Sequence, residues 1–185
     1  MRILGISGSL RRGSHNTQLL RAAEELLAPD VELVLWDGLK AVPPFDEDDE
    51  GNPPAGVADL RDAIAGADAI LVATPEYNSS IPGQLKNAID WASRPFASAV
   101  LRNKPVAVVG ASTGMFGAVW AQAELRKVLA AAGARVVEGE VAVGRAATRF
   151  DEDGRLVDDD IRLDLAEVVY LLVDEAVPVG VPVAA

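Results

Sequence analysis

Five short apolar runs alternate with five amphipathic segments, and no other feature of the chain constrains its fold as strongly. The runs are Arg2 to Ser7, Val31 to Trp36, Ala69 to Thr74, Pro105 to Ala111 and Arg135 to Val143. Each is bounded by Gly, Pro or polar residues, as buried parallel strands are. Between them, apolar residues recur at helical spacing. Leu19, Leu20, Ala23, Leu26 and Leu27 mark a helix over Thr17 to Ala28, and Val57, Leu60, Ile64 and Ala65 a second. Leu85, Ala88, Ile89 and Ala92 mark a third, and Trp120, Ala123, Val128 and Leu129 a fourth. Asp158 to Glu175 reads as a fifth, with Ile161, Leu165, Val168, Val169 and Leu172 inside.

Such alternation predicts an α/β three-layer sandwich around a parallel sheet. Five strands and five helices suggest the flavodoxin-like order 2-1-3-4-5. Ligands then bind beyond the carboxyl ends of the strands, at the switch between strands 1 and 3. The loops after strands 1, 3 and 4 are therefore expected to form the site. The 185 residues suit one domain, expected over residues 1–177, with 178–185 as a flexible tail.

Composition narrows the partners. A formal net charge of -11 disfavours nucleic acid and anionic membrane surfaces, so a bound anion needs a local cluster of donors. The chain has no cysteine, which excludes disulfides, iron–sulfur clusters and thiol chemistry. No apolar run is long enough to span a bilayer, and the N-terminus enters a strand at once, so the cytoplasm is expected. The acidic stretch Pro43 to Pro54 imitates the start of a calcium loop. Val57 stands where a bidentate Glu is required, and a solvated charge run is the better reading.

The loop after the first strand reads Gly8-Ser9-Leu10-Arg11-Arg12-Gly13-Ser14-His15-Asn16-Thr17. Gly8 and Gly13 allow a sharp turn and close approach to a ligand. Ser9, Ser14, Asn16 and Thr17 supply short polar side chains. The helix start adds unpaired N–H groups, and Arg11 and Arg12 add positive charge. This is a cradle for a monophosphate. A Walker A loop would need a lysine that is missing, and the G-x-G-x-x-G dinucleotide fingerprint is absent. Asp37, at the end of the second strand, could serve as a ribose-binding acid; without that fingerprint, a plain loop residue is the better reading. His15, the single histidine, reads as a solvent-facing helix-start residue.

The third strand runs into Thr74-Pro75-Glu76-Tyr77-Asn78-Ser79-Ser80-Ile81-Pro82-Gly83. Main-chain groups here, with Asn78, offer the donors and acceptors that a flat heterocycle needs at its polar edge, and Tyr77 could flank it. The fourth strand ends in Gly110-Ala111-Ser112-Thr113-Gly114-Met115-Phe116-Gly117. Its glycines permit close backbone approach, and Ser112 and Thr113 add hydroxyls.

The pattern G-S-L-R-x-G-S-x-N, then T-P-E-Y-N-x-S-x-P-G-x-L-K-N-A-I-D-W-x-S-R-P, then a small-residue loop after strand 4, resembles the NADPH-dependent FMN reductase family, especially its quinone and chromate reductase branch. The resemblance implies bound FMN with its phosphate on Ser9, Arg11, Ser14, Asn16 and Thr17. It implies a flavin ring against Pro75, Glu76, Tyr77, Asn78 and Ser79, with Ser112, Thr113 and Gly114 on the other side. It further implies that NADPH or NADH reduces FMN, which then reduces a small-molecule acceptor such as a quinone, chromate or an azo compound. No side chain is nominated as acid or base, and no metal is expected. Members of that family are homodimers or homotetramers with the flavin near an interface. Trp91, Phe96 and Trp120 are candidates for that contact, core burial being an equal reading of Trp91. Arg94 joins Arg11 and Arg12 as a candidate for attracting the dinucleotide, a surface salt bridge being as good a reading of it. A flavodoxin-type electron carrier without NAD(P)H turnover is the alternative. A phosphorelay receiver is rejected, because Ser7 and Pro75 stand where it needs acids.

Overall fold

The computed structural model describes residues 1–177; the tail expected from Pro178 lies outside the described residues. The strands are β1 (Arg2–Ser7), β2 (Glu32–Trp36), β3 (Ala69–Thr74), β4 (Pro105–Ala111), β5 (Arg135–Val136) and β6 (Ala142–Val143). The helices are α1 (His15–Glu24), α2 (Ala55–Ala65), α3 (Gly83–Ala92), α4 (Val119–Ala131) and α5 (Asp159–Ala176). All pairings are parallel and the order is β2-β1-β3-β4-β5, with β6 also on β4. This is the flavodoxin-like order expected from the alternation.

The two faces of the sheet follow from the period of two along each strand. Leu4, Ile6, Ile70, Val72, Val106 and Val108 face the layer of α2, α3 and α4. Ile3, Ala69, Leu71, Ala73, Ala107, Val109 and Ala111 face α1 and α5. The second set is rich in alanine, and these small side chains let α1 and α5 lie close over β3 and β4. Among the described residues, no helix is long and apolar enough to cross a membrane.

The expected fifth strand is not continuous. Pro105 pairs with Arg135, but Gly110 pairs with Ala142. The outer chain therefore carries two more residues than β4 over the same stretch, and bulges between Val137 and Val141. Gly139 sits in the bulge at φ +138, where a Cβ would lie 2.8 Å from Val168 Cγ2. Arg126 reaches in from α4 and donates to the Val108 carbonyl at 3.2 Å and to the Gly139 carbonyl. It supplies donors at the gap that the interrupted strand leaves. Burial lowers the pKa of this guanidinium and neighbouring Glu140 opposes the shift.

Trp91 belongs to the core. It is fully buried, its indole N–H donates to the Pro43 carbonyl at 2.9 Å, and Phe45 packs edge-on against it. It is therefore not a subunit contact. Phe96 and Arg94 lie in the segment leading from α3 to the N-terminal end of β4, opposite the switch-point loops. Phe96 is 67% exposed under the Arg102 guanidinium.

Candidate active site

The first loop is built around its helix cap. Ser14 is buried, and its hydroxyl accepts from the Thr17 N–H at 3.3 Å, which satisfies one of the helix's free donors. The Thr17 hydroxyl donates to Ser7 Oγ at 3.1 Å. Ser9 Oγ accepts from the Arg11 N–H at 3.4 Å, curling the loop back on itself. Gly8 is packed, with its N–H on the Ala73 carbonyl and no room for a Cβ beside Leu85 and Pro75. Gly13 has open space beside it. Gly8 therefore closes the loop against β3, and Gly13 leaves its outer side accessible.

The Asn16 side chain is bonded within the chain. It is 3% exposed. Its amide donates to the Ala111 carbonyl and its carbonyl accepts from the Ala111 N–H, both at 2.9 Å. The side chain is thus committed to β4 and joins the first loop to the third.

The second loop turns more tightly than its length suggests. Tyr77 and Ser80 exchange backbone hydrogen bonds at 3.0 and 3.1 Å. Between them Asn78 and Ser79 both have positive φ, at 53° and 59°. These are the marks of a type I′ turn. Its two central N–H groups make no backbone hydrogen bond among the described residues. The Glu76 carboxylate points away from the turn and accepts from the Ala121 N–H at 3.1 Å. It caps α4, whose own cap residue Ala118 has no side chain that could do so.

The third loop is held from below. A Cβ on Gly117 would fall 2.3 Å from the Ala142 carbonyl carbon, and its φ of +61 also favours glycine. The Ser112 N–H donates to the Val143 carbonyl, and the Ser112 and Gly114 carbonyls accept from Ala146 and Arg145. Thr113, Gly114, Met115 and Phe116 are left exposed above this seat.

These loops enclose an open cleft of about 320 Å³. It gathers Ser9, Arg11, Ser14, Asn16, Pro75, Glu76, Tyr77, Ser112 and Thr113, together with His15 and Ala111. Asn78, Ser79 and Gly114 stand next to it in the same loops. Thr17 does not line it. His15 is not a free surface residue: it bonds Gln18 at 2.9 Å and stacks on Phe150 at 5.6 Å. Nothing in the sequence signalled Phe150, which meets His15 from far along the chain.

The donor set suits a phosphate bearing a flat ring. Arg11 and Arg12 are exposed and make no ion pair among the described residues, although the chain carries 28 carboxylates. They stand beside the positive end of α1. Pro75 gives one rigid wall. At the rim, Phe116 and Trp120 meet edge-to-face at 5.0 Å and remain 56% and 48% exposed.

Comparison with known proteins agrees with this geometry. A sequence model of the NADPH-dependent FMN reductases matches residues 1–148. An NAD(P)H-dependent FMN reductase of Pseudomonas aeruginosa is 46% identical over 165 residues, 88% of each chain. A 2-hydroxy-1,4-benzoquinone reductase of a Burkholderia species is 37% identical over 163 residues, also 88% of each. Among solved structures, a flavoenzyme NAD(P)H:(acceptor) oxidoreductase from Paracoccus denitrificans superposes with a TM-score of 0.85 at 35% identity, covering 95% of this chain and 96% of its own. A flavodoxin mutant from Pseudomonas aeruginosa shares the fold at a TM-score of 0.59 and 19% identity, covering 93% of this chain and 99% of its own. The chain belongs to the NADPH-dependent FMN reductase family.

Proposed function

We propose that the cleft holds FMN and that the chain transfers two electrons from NAD(P)H, through that flavin, to a quinone or a similar small acceptor such as chromate or an azo compound. The carrying observation is the convergence of three loops that bring Arg11, without an ion-pair partner among the described residues, and the main-chain donors of the turn at Asn78 and Ser79 to one cleft at the switch point. FMN supplies the capacity to accept a hydride and to release two electrons. The protein supplies position and field.

Arg11, the hydroxyls of Ser9 and Ser14, and the N–H groups opening α1 neutralise the phosphate. The side chains of Asn16 and Thr17 hold the cradle in shape, and their contribution is to position. Pro75 and Tyr77 flank the ring. The N–H groups of Asn78 and Ser79 would serve its polar edge, and Ser112, Thr113 and Gly114 would close the opposite side. For a quinone, the balance is NAD(P)H plus one proton and quinone giving NAD(P)⁺ and hydroquinone, the additional proton coming from water. No side chain needs to donate it.

The apolar rim of Met115, Phe116 and Trp120 supports a subunit contact beside the cleft, consistent with a homodimer or homotetramer acting in the cytoplasm. Residues 1–177 would form the working domain.

Purified protein tests the reading directly. It should be yellow, release FMN on denaturation and oxidise NADH or NADPH faster when a quinone is present. Initial rates at several quinone levels should give parallel reciprocal lines. A flavin-loaded protein that oxidises neither dinucleotide would be a carrier, and a colourless protein that FMN does not reconstitute would refute both readings.

A further inference from the structure

A second cleft lies on the far side of the first loop, against the edge strand β2. Its volume is about 420 Å³. Gly5 and Ser7 of β1 form its floor, and Arg21 of α1 and Asp37 and Lys40 after β2 line it. Ser9 borders both clefts, so the two meet at the phosphate loop.

The charged groups here, Asp37, Arg21 and Lys40, have no ion-pair partner among the described residues. Asp37 makes no side-chain cap at the turn it opens. Free cations are costly to waste in a chain of net charge -11. Two cations and one acid around a cleft suit a ligand with both a polyanionic and a hydroxylic part.

We propose that this cleft binds the adenosine diphosphate half of the reduced dinucleotide. Asp37, which lines this cleft, accepts hydrogen bonds from the ribose diol. Arg21 and Lys40 pair with the pyrophosphate. From β2 to β4 is three strand spacings, about 14 Å. An extended dinucleotide lying across the first loop spans that distance and brings its nicotinamide to the loops after β3 and β4. A phosphate on the ribose 2′ oxygen would face the Asp37 carboxylate, so the site prefers NADH to NADPH. This inference rests on NAD(P)H being the reductant.

The test uses FMN-loaded protein and two fragments, ADP and 2′,5′-ADP, titrated calorimetrically. ADP should bind and compete with NADH, and 2′,5′-ADP should bind more weakly. The double variant Arg21→Gln, Lys40→Gln should weaken ADP roughly tenfold or more, the loss expected for charged hydrogen bonds. It should raise KM for NADH more than it changes kcat, while FMN affinity holds. Asp37→Asn should narrow the gap between ADP and 2′,5′-ADP. Absence of ADP binding, an unchanged ADP affinity in the double variant, or displacement of FMN by ADP overturns the assignment. If NADH is oxidised while ADP fails to bind, this inference alone falls. If neither dinucleotide is oxidised, the functional reading falls and takes the inference with it.

Discussion

The Asn16 carboxamide pairs with both main-chain groups of Ala111, at 2.9 Å each, across 95 residues of sequence. It acts as a peptide unit would in a strand ladder, and it extends the bonding of β4 sideways into α1. The start of the phosphate loop's helix and the start of the loop after β4 are therefore tied directly to each other.

Asn16→Ala should leave two buried main-chain groups unpaired. Each such group costs about 1–3 kcal/mol, so stability should fall by roughly 2–6 kcal/mol. Asn16→Asp should be comparable, because a carboxylate accepts from the Ala111 N–H but faces the Ala111 carbonyl without a proton to donate. Urea unfolding of the FMN-free protein measures both. A loss below about 0.5 kcal/mol in either variant would place the clamp among contacts that contribute nothing net.

Arg11 has no partner within the described chain, so its removal should spare the fold and harm the ligand. Arg11→Ala should raise the Kd for FMN by about 10- to 100-fold, the range for a charge-assisted bond to phosphate. The deficit should shrink as salt is added, because the side chain is exposed. Fluorescence titration of FMN at two ionic strengths reads both effects. Equal affinity in the variant removes Arg11 from the cradle.

Lys104 carries a prediction about pH. Burial lowers the pKa of this ammonium, neighbouring Asp68 partly opposes that, and the group donates to the Ala67 carbonyl. The unfolded chain binds this proton more tightly than the folded one. Stability attributable to Lys104 therefore rises with pH, from the lowered folded value up to the ordinary value of about 10.4. The difference in unfolding free energy between the native chain and Lys104→Met should grow in favour of the native chain as pH climbs toward the ordinary lysine value of about 10.4. A flat or falling difference contradicts the burial effect.

Much of this was legible in the sequence because it rests on patterns. The runs Arg2 to Ser7, Ala69 to Thr74 and Pro105 to Ala111 coincide with β1, β3 and β4, since buried parallel strands have sharp compositional edges. The fifth strand stands where expected but is interrupted, because Val-Val and Val-Ala-Val flank Glu138-Gly139-Glu140, and the apolar pattern on either side hides the bulge between them. The side chain of Asn16 is ambiguous in the sequence for a different reason. A carboxamide offers the same donor and acceptor to a phosphate or to a peptide group, and only packing decides between them. Thr17 and Glu76 repeat this lesson. Their positions near the site were legible, and the directions of their side chains were not.

Glu76 gives the most direct test of how the loops cooperate. Its carboxylate caps α4 from the loop after β3, and Glu124 of α4 returns the contact by accepting from the Ile81 N–H at 3.4 Å. Glu76→Ala should remove both the capping bond and a favourable charge at a helix start, at a cost of about 1–2 kcal/mol. Glu76→Gln keeps an oxygen acceptor and should cost about half as much. If the cap holds the turn at Asn78 and Ser79 in place for the flavin, FMN affinity should fall in the same order, Ala more than Gln. Stability that falls while FMN affinity stays constant across both variants would show that the cap serves α4 alone.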